Sequence, residues 1–106
     1  MNKIIKILFI LLFNVTILQV YADCSSPPKE SVNWSGCNLQ NRDLSGAKLR
    51  EANLSGANLM EARLTWANLI GANLIGANLA EANLSDATWI DGTKCAKNSI
   101  GKCVPG

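Results

Sequence analysis

The sequence predicts an all-β solenoid, in which the chain coils around a filled apolar interior. A five-residue phrase is repeated twelve times between residues 32 and 91. Leucine recurs at one place of the phrase, and alanine stands two residues before most of these leucines. Two of the four cysteines, Cys24 and Cys37, precede the most regular phrases, and the other two, Cys95 and Cys103, follow them. A strict short period is the signature of a repeat architecture, and the cysteines indicate that both of its ends are reinforced.

The period of five excludes the two regular secondary structures. Each step of five residues moves a side chain about 140° around an α-helix, so the leucines would form no apolar stripe. In a continuous strand an odd step places successive leucines on opposite faces. The period fits a chain that turns a corner at every pentad and points each leucine, with the alanine two before it, into a common interior. The predicted core leucines are Leu39, Leu44, Leu49, Leu54, Leu59, Leu64, Leu69, Leu74, Leu79 and Leu84.

Two stretches carry the phrase in its best form, Glu-Ala-Asn-Leu-Ser-Gly-Ala-Asn-Leu at 51–59 and Gly-Ala-Asn-Leu-Ile-Gly-Ala-Asn-Leu at 71–79. They resemble the pentapeptide repeat family, whose phrase is Ala-(Asp/Asn)-Leu-X-X, and the resemblance covers residues 32–91. It implies a right-handed quadrilateral β-helix with one pentad per side and twenty residues per coil. Twelve pentads then give about three coils.

Departures from the phrase cluster at the start of the repeat. Trp34 and Trp89 extend the leucine spacing, and we interpret both as aromatic parts of end caps, because an indole is too large for the interior; the alternative is a ligand-stacking role. Cys37 and Arg42 stand at inward positions where later pentads have alanine. An isolated inward charge is costly, so Arg42 is expected to reach solvent or Glu30, and the first coil is expected to be irregular.

Residues 1–22 have the pattern of a bacterial-type secretory signal peptide, which we expect to form a helix outside the fold. Lys3 and Lys6 precede an apolar run, and the segment ends in Val-Tyr-Ala, a small-residue cleavage signature. Cleavage is predicted after Ala22, which places the protein in the periplasm or outside the cell. One alternative is an uncleaved membrane anchor. The other is a lipoprotein acylated at Cys24, which Asp23 disfavours.

Cleavage removes two of the ten basic residues and none of the eight acidic ones, so the mature chain is neutral. Its 84 residues form one small domain, with an N-terminal cap segment at 23–31, the β-helix at 32–91 and a C-terminal disulfide cap at 92–106. A core of this size needs reinforcement.

The cysteines are predicted to supply that reinforcement as disulfides, since an exported chain meets an oxidising compartment. Four cysteines allow three pairings. In a three-coil stack, Cys37 and Cys95 lie about 10 to 15 Å apart, and a disulfide requires Cα atoms within about 7 Å. The expected bonds are therefore Cys24 with Cys37 and Cys95 with Cys103. A zinc site is the alternative, but the chain has no histidine and no C-x-x-C spacing.

Catalytic chemistry has no support in the sequence. Without histidine there is no histidine-based acid, base or triad, and no phosphate loop or acidic metal cluster is found. We therefore expect no enzyme activity, no cofactor and no metal. Asparagine before the repeat leucines, present at seven of the ten, is interpreted as a turn residue whose side chain accepts a backbone hydrogen bond, and not as a glycosylation acceptor.

The function predicted by these observations is that of a non-catalytic, exported structural or protein-interaction module. Its partner is an unknown protein of the cell envelope or a second copy, with no nucleic acid and no membrane contact beyond the signal peptide. The alternative follows from resemblance, because some family members look like duplex DNA and bind DNA gyrase. The signal peptide, the neutral mature charge and the short stack disfavour that alternative, and a small hydrolase is weaker still.

A candidate partner patch follows from the outward positions. Residues twenty apart stack in a four-sided coil, so apolar side chains are unevenly distributed around the sides. We expect Trp66, Ile70, Ile75 and Ile90 to form an exposed patch for self-association or docking. The alternative is that isoleucine simply suits an exposed strand.

Overall fold

The computed structural model describes residues 21–106, so the predicted signal helix, apart from Tyr21 and Ala22 at its end, lies outside the described residues. Residues 32–91 form three stacked coils. The described residues contain no helix and no strand longer than a single bridge. Instead, residues twenty apart form isolated parallel bridges that define four sides: Asn33, Asn53 and Asn73 on side 1, Asn38, Asn58 and Asn78 on side 2, Asp43, Arg63 and Asn83 on side 3, and Lys48, Asn68 and Thr88 on side 4.

Every pentad ends in a tight corner. At the first corner the Cys37 N–H donates to the Trp34 carbonyl at 3.0 Å, and the same bond recurs five residues later along the coils. The third corner residue has a positive φ, as in Gly56 at 66°, which glycine adopts without steric cost. Glutamate and tryptophan also occupy this place, with φ of 58° at Glu61 and 64° at Trp66.

Asparagine precedes seven of the ten leucines and stabilises the corner that follows it. The Asn68 Oδ1 accepts from the Ile70 N–H at 3.1 Å, and Asn58 and Asn78 do the same for Met60 and Ala80. A side chain that satisfies a backbone donor two residues on mimics a turn. The predicted turn role of these asparagines is confirmed.

Leucines and alanines fill the interior. Eight of the ten predicted core leucines are buried, whereas Leu74 and Leu79 are only partly buried. The prediction that all ten are buried was wrong for Leu74 and Leu79, because the third coil has no layer above it on sides 1 and 2.

The N-terminal cap covers the first coil. Trp34 is fully buried in place of a leucine, and its Nε1 donates to the Ser26 carbonyl at 3.2 Å. The expectation that an indole cannot enter the interior was wrong, because the N-terminal segment closes over it. The disulfide between Cys24 and Cys37 fixes this segment, with Cα atoms 5.5 Å apart.

The first coil is not irregular, since it forms the same bridges to the second coil as the second does to the third. Arg42 is exposed, as expected, and its guanidinium lies 5.9 Å from the Trp34 ring centroid. Glu30 pairs with Arg50 and not with Arg42, since the Glu30 carboxylate lies 3.9 Å from the Arg50 guanidinium.

The C-terminal cap lies on the third coil and runs antiparallel to it. Ile100 bridges to Asn83 on side 3, and Lys94 bridges to Thr88 on side 4. The predicted disulfide between Cys95 and Cys103 is present, with Cα atoms 5.0 Å apart. Ser99 is fully buried; its hydroxyl donates to the Ala96 carbonyl at 2.7 Å and accepts from the Val104 N–H at 3.1 Å. Trp89, the other expected cap residue, is partly buried against the core.

Candidate functional site

The four residues of the predicted partner patch lie at three different corners. Trp66 stands between sides 3 and 4, Ile70 and Ile90 stack between sides 4 and 1, and Ile75 stands between sides 1 and 2. Whole sides of the coil separate these corners, and Trp66 is diagonally opposite Ile75. The structure therefore does not bring the four residues into one continuous surface. A role of each residue in association stays a prediction.

Trp66 is the largest exposed side chain of the predicted patch, at 64% exposure. The ammonium group of Lys94 lies 4.7 Å from its ring centroid, which is within the range of a cation–π interaction. Since Lys94 belongs to the C-terminal cap, one face of the indole is engaged in holding that cap to the second coil. Trp66 thus has a structural contact that the sequence pattern did not indicate.

The upper edge of the third coil is half uncovered, because the C-terminal cap pairs only with sides 3 and 4. We call residues 72–81, which form sides 1 and 2 of this coil, the open edge. In the second coil, the backbone N–H groups of Leu54, Gly56, Leu59 and Glu61 each donate to a carbonyl of the third coil at 2.8 or 2.9 Å. The equivalent N–H groups of the third coil, twenty residues later, have no acceptor among residues 21–106. They belong to Leu74, Gly76, Leu79 and Glu81.

Apolar side chains accompany these unpaired groups. Leu74 and Leu79 are partly buried, and Ile75, at the corner between them, is 80% exposed. Glu81 is the single charged residue of the open edge. The edge therefore combines backbone donors with a nearly neutral, aliphatic surface, which is the composition of a sheet edge that can accept another strand.

Sequence reasoning missed the open edge, although one signal for it was present. Fifteen residues follow Asp91, and nine of them, from Cys95 to Cys103, form the loop closed by the disulfide. A segment of that length cannot both close a disulfide loop and cover a twenty-residue coil. The expected C-terminal cap therefore had to leave part of the third coil bare.

Two aspartates of the described surface accept hydrogen bonds within turns. Asp43 replaces asparagine in its pentad, and its Oδ1 accepts from the Ser45 hydroxyl at 2.6 Å and from the Ser45 N–H at 3.1 Å. These bonds lower the pKa of Asp43 below its ordinary value, and Ser25 lowers the pKa of Asp23 in the same way. Among residues 21–106 no cluster of cysteine and acidic side chains is arranged to hold a metal ion. Within the same part of the chain, no helical stretch has the length and apolarity that crossing a bilayer requires.

Comparisons with known proteins agree with the observed repeat. A family profile for pentapeptide repeats matches residues 31–65 and 57–88, with eight copies. No significant match was found among curated proteins. Among solved structures, the chain is similar to HetL, a pentapeptide repeat protein involved in heterocyst differentiation regulation from the cyanobacterium Nostoc sp. strain PCC 7120, with 40% identity and a TM-score of 0.50. That similarity covers 61% of this chain and 33% of HetL.

A second solved structure is a more distant match. It is a pentapeptide repeat protein from the Arabidopsis thaliana thylakoid lumen, with 21% identity and a TM-score of 0.27. The match covers 67% of this chain and 79% of that chain.

Proposed function

Because the chain belongs to the pentapeptide repeat family, we propose that it is a non-catalytic, exported module that acts through protein contacts or as a structural element. Proteins of this family fold as right-handed β-helices, and we infer the same hand for the three four-sided coils. The signal peptide at 1–22 is the finer part of this proposal, together with cleavage after Ala22 and residence in the periplasm or outside the cell.

The pair of disulfides is the observation that carries the proposal. One bond ties the N-terminal cap to the first coil and the other closes the C-terminal cap, so all four cysteines are oxidised. Disulfides form and persist in oxidising compartments and are rare in the cytosol. Together with the apolar N-terminal segment that follows Lys3 and Lys6, they favour export.

The non-catalytic part of the proposal is supported by the composition of the repeat. The sequence has no histidine, and the inward positions of the coils are filled by leucine and alanine. Any partner is then recognised by outward side chains or by an uncovered edge of the solenoid. The similarity to HetL covers only a third of that protein, so its regulatory role is not carried over to this chain.

Expression of the full chain in a bacterial host, followed by cell fractionation and mass spectrometry, tests the proposal. The expected product lies outside the cytoplasm, begins at Asp23 and has no free thiol. A matched control with Leu11 and Leu12 replaced by arginine, which disrupts the apolar run, is expected to stay in the cytoplasm with reduced cysteines. A wild-type chain of full mass, found reduced in the cytoplasm, would refute export.

A further inference from the structure

We propose that the open edge of the third coil binds an extended segment of a partner protein, which adds a layer on sides 1 and 2. The inference rests on the proposed function of a protein-interaction module, since it names the surface of that module and the chemistry of its partner. Addition of a strand to an exposed edge is a general mode of peptide recognition, in which backbone bonds give affinity and side-chain positions give specificity.

The backbone of the open edge matches this mode. Besides the four N–H donors already described, it offers the carbonyls of Ala72 and Ala77, which accept no bond within residues 21–106. One coil below, the equivalent carbonyls of Ala52 and Ala57 accept from the Asn73 and Asn78 N–H groups at 2.9 Å. The open edge thus repeats a hydrogen-bonding pattern that the second coil uses to hold the third. Six backbone groups are available to an incoming segment.

The side chains define the chemistry of that segment. Residues 72–81 lie on residues 52–61, so that Leu74 and Leu79 stack over Leu54 and Leu59. A segment that follows the same course places two aliphatic side chains, five residues apart, over the partly buried leucines of the edge. It also needs a small residue two places before the second aliphatic one, where the coils have an inward alanine. The partner segment is therefore about ten residues long, turn-forming at its middle, and aliphatic on its inner face.

The C-terminal cap decides between such a segment and a second solenoid. A coil occupies all four sides, whereas the layer above the third coil is already filled on sides 3 and 4 by residues 94–101. A whole coil of a second copy stacked on this end would collide with Lys94 to Gly101. An extended segment of half a coil fits beside the cap, which is why we commit to a partner segment and not to end-to-end stacking of copies.

Amide hydrogen exchange measured by NMR tests the inference on the full-chain product with both disulfides formed. In the free protein, the amides of Leu74, Gly76, Leu79 and Glu81 exchange rapidly, while those of the second coil are protected. The probe is a synthetic peptide with the sequence of residues 72–81, because that segment already sits on an equivalent edge. At saturating peptide, exchange at the four amides is expected to slow by about tenfold or more. A control peptide, with aspartate in place of both leucines, is expected to have no effect.

A matched pair of protein variants separates the edge from general surface effects. Leu79→Asp places a charge at an inward position of the open edge, whereas Asn38→Asp places the same charge on the exposed outer face of side 2 in the first coil, outside the open edge. Asn38→Asp is expected to bind the peptide like the wild type and Leu79→Asp to lose the protection. If Leu79→Asp unfolds, the wild type with the two peptides still decides the question.

Three outcomes overturn the inference. The first is unchanged amide exchange at saturating peptide, and the second is equal binding of the two peptides. The third is protection of the four amides without peptide together with a doubled mass in sedimentation, which would assign the edge to a second copy. None of these depends on where the protein resides, so the fractionation experiment and the peptide experiment can fail independently.

Discussion

The open edge makes a quantitative prediction about two leucines of the same column. Leu59 and Leu79 both lie on side 2, one coil apart, but Leu59 is fully buried between two coils and Leu79 is partly buried. Leu59→Ala removes a leucine side chain from a closed interior whose stacked neighbours cannot collapse into the gap, and is expected to cost about 2 to 5 kcal/mol. Leu79→Ala removes less buried area and leaves a gap that opens to water, so we expect about 1 to 2 kcal/mol.

Chemical denaturation of the oxidised protein and its two variants measures this difference. The midpoint and the slope are compared for each protein, because only a shift of the midpoint at constant slope reports stability alone. Two results would contradict the reasoning. Equal, large costs would mean that Leu79 is covered in solution, and two negligible costs would mean that the leucine columns are not the core.

Three further predictions concern the caps, the corners and the acidic turn. Replacing both Cys95 and Cys103 by serine is expected to lower stability by about 2 to 3 kcal/mol and to leave the Cys24–Cys37 bond in place, as peptide mapping would show; unchanged stability would remove the cap from the folded unit. Gly71→Ala is expected to cost about 1 to 2 kcal/mol in thermal unfolding, because φ is +72° and a Cβ would lie 3.2 Å from the Glu51 Cγ, and a higher melting temperature would contradict it. The pKa of the Asp43 carboxyl is lowered in the folded protein, so its contribution to stability is present above its ordinary pKa and is lost as pH falls through the lower, folded value. The Asp43→Asn variant is therefore expected to lose less stability than the wild type between about pH 5 and pH 3. Parallel losses in the two proteins would exclude the Ser45 bonds as the cause.

The interior and the disulfides could be predicted from the sequence because both depend on spacing. A leucine at every fifth place has few ways to reach a common core, and the distance along the stack separates Cys37 from Cys95. The turn role of the asparagines was equally predictable, since their side chains bond to backbone groups only two residues away. Local geometry of this kind does not depend on what the rest of the chain does.

The ends could not be predicted in the same way, because they depend on where irregular segments fold. The burial of Trp34 requires the N-terminal segment to close over it, and no period encodes that contact. Likewise the contact of Lys94 with Trp66 joins a loop to a corner almost thirty residues earlier. The predicted patch failed as a single surface for a simpler reason. The residues were assigned to separate columns, but those columns were then joined into one patch although a whole side of the coil lies between consecutive corners.

The corners have a consequence for how such chains can vary. Each corner is closed by bonds inside its own pentad and to pentads twenty residues away. Duplication of four pentads in the second coil would add one full coil to the stack and keep the present orientation of the two caps relative to each other. Duplication of one pentad would instead turn the C-terminal cap, and the uncovered half beside it, by a quarter revolution relative to the N-terminal cap. Duplications of different length can thus change the number of coils with or without changing the orientation of one cap relative to the other.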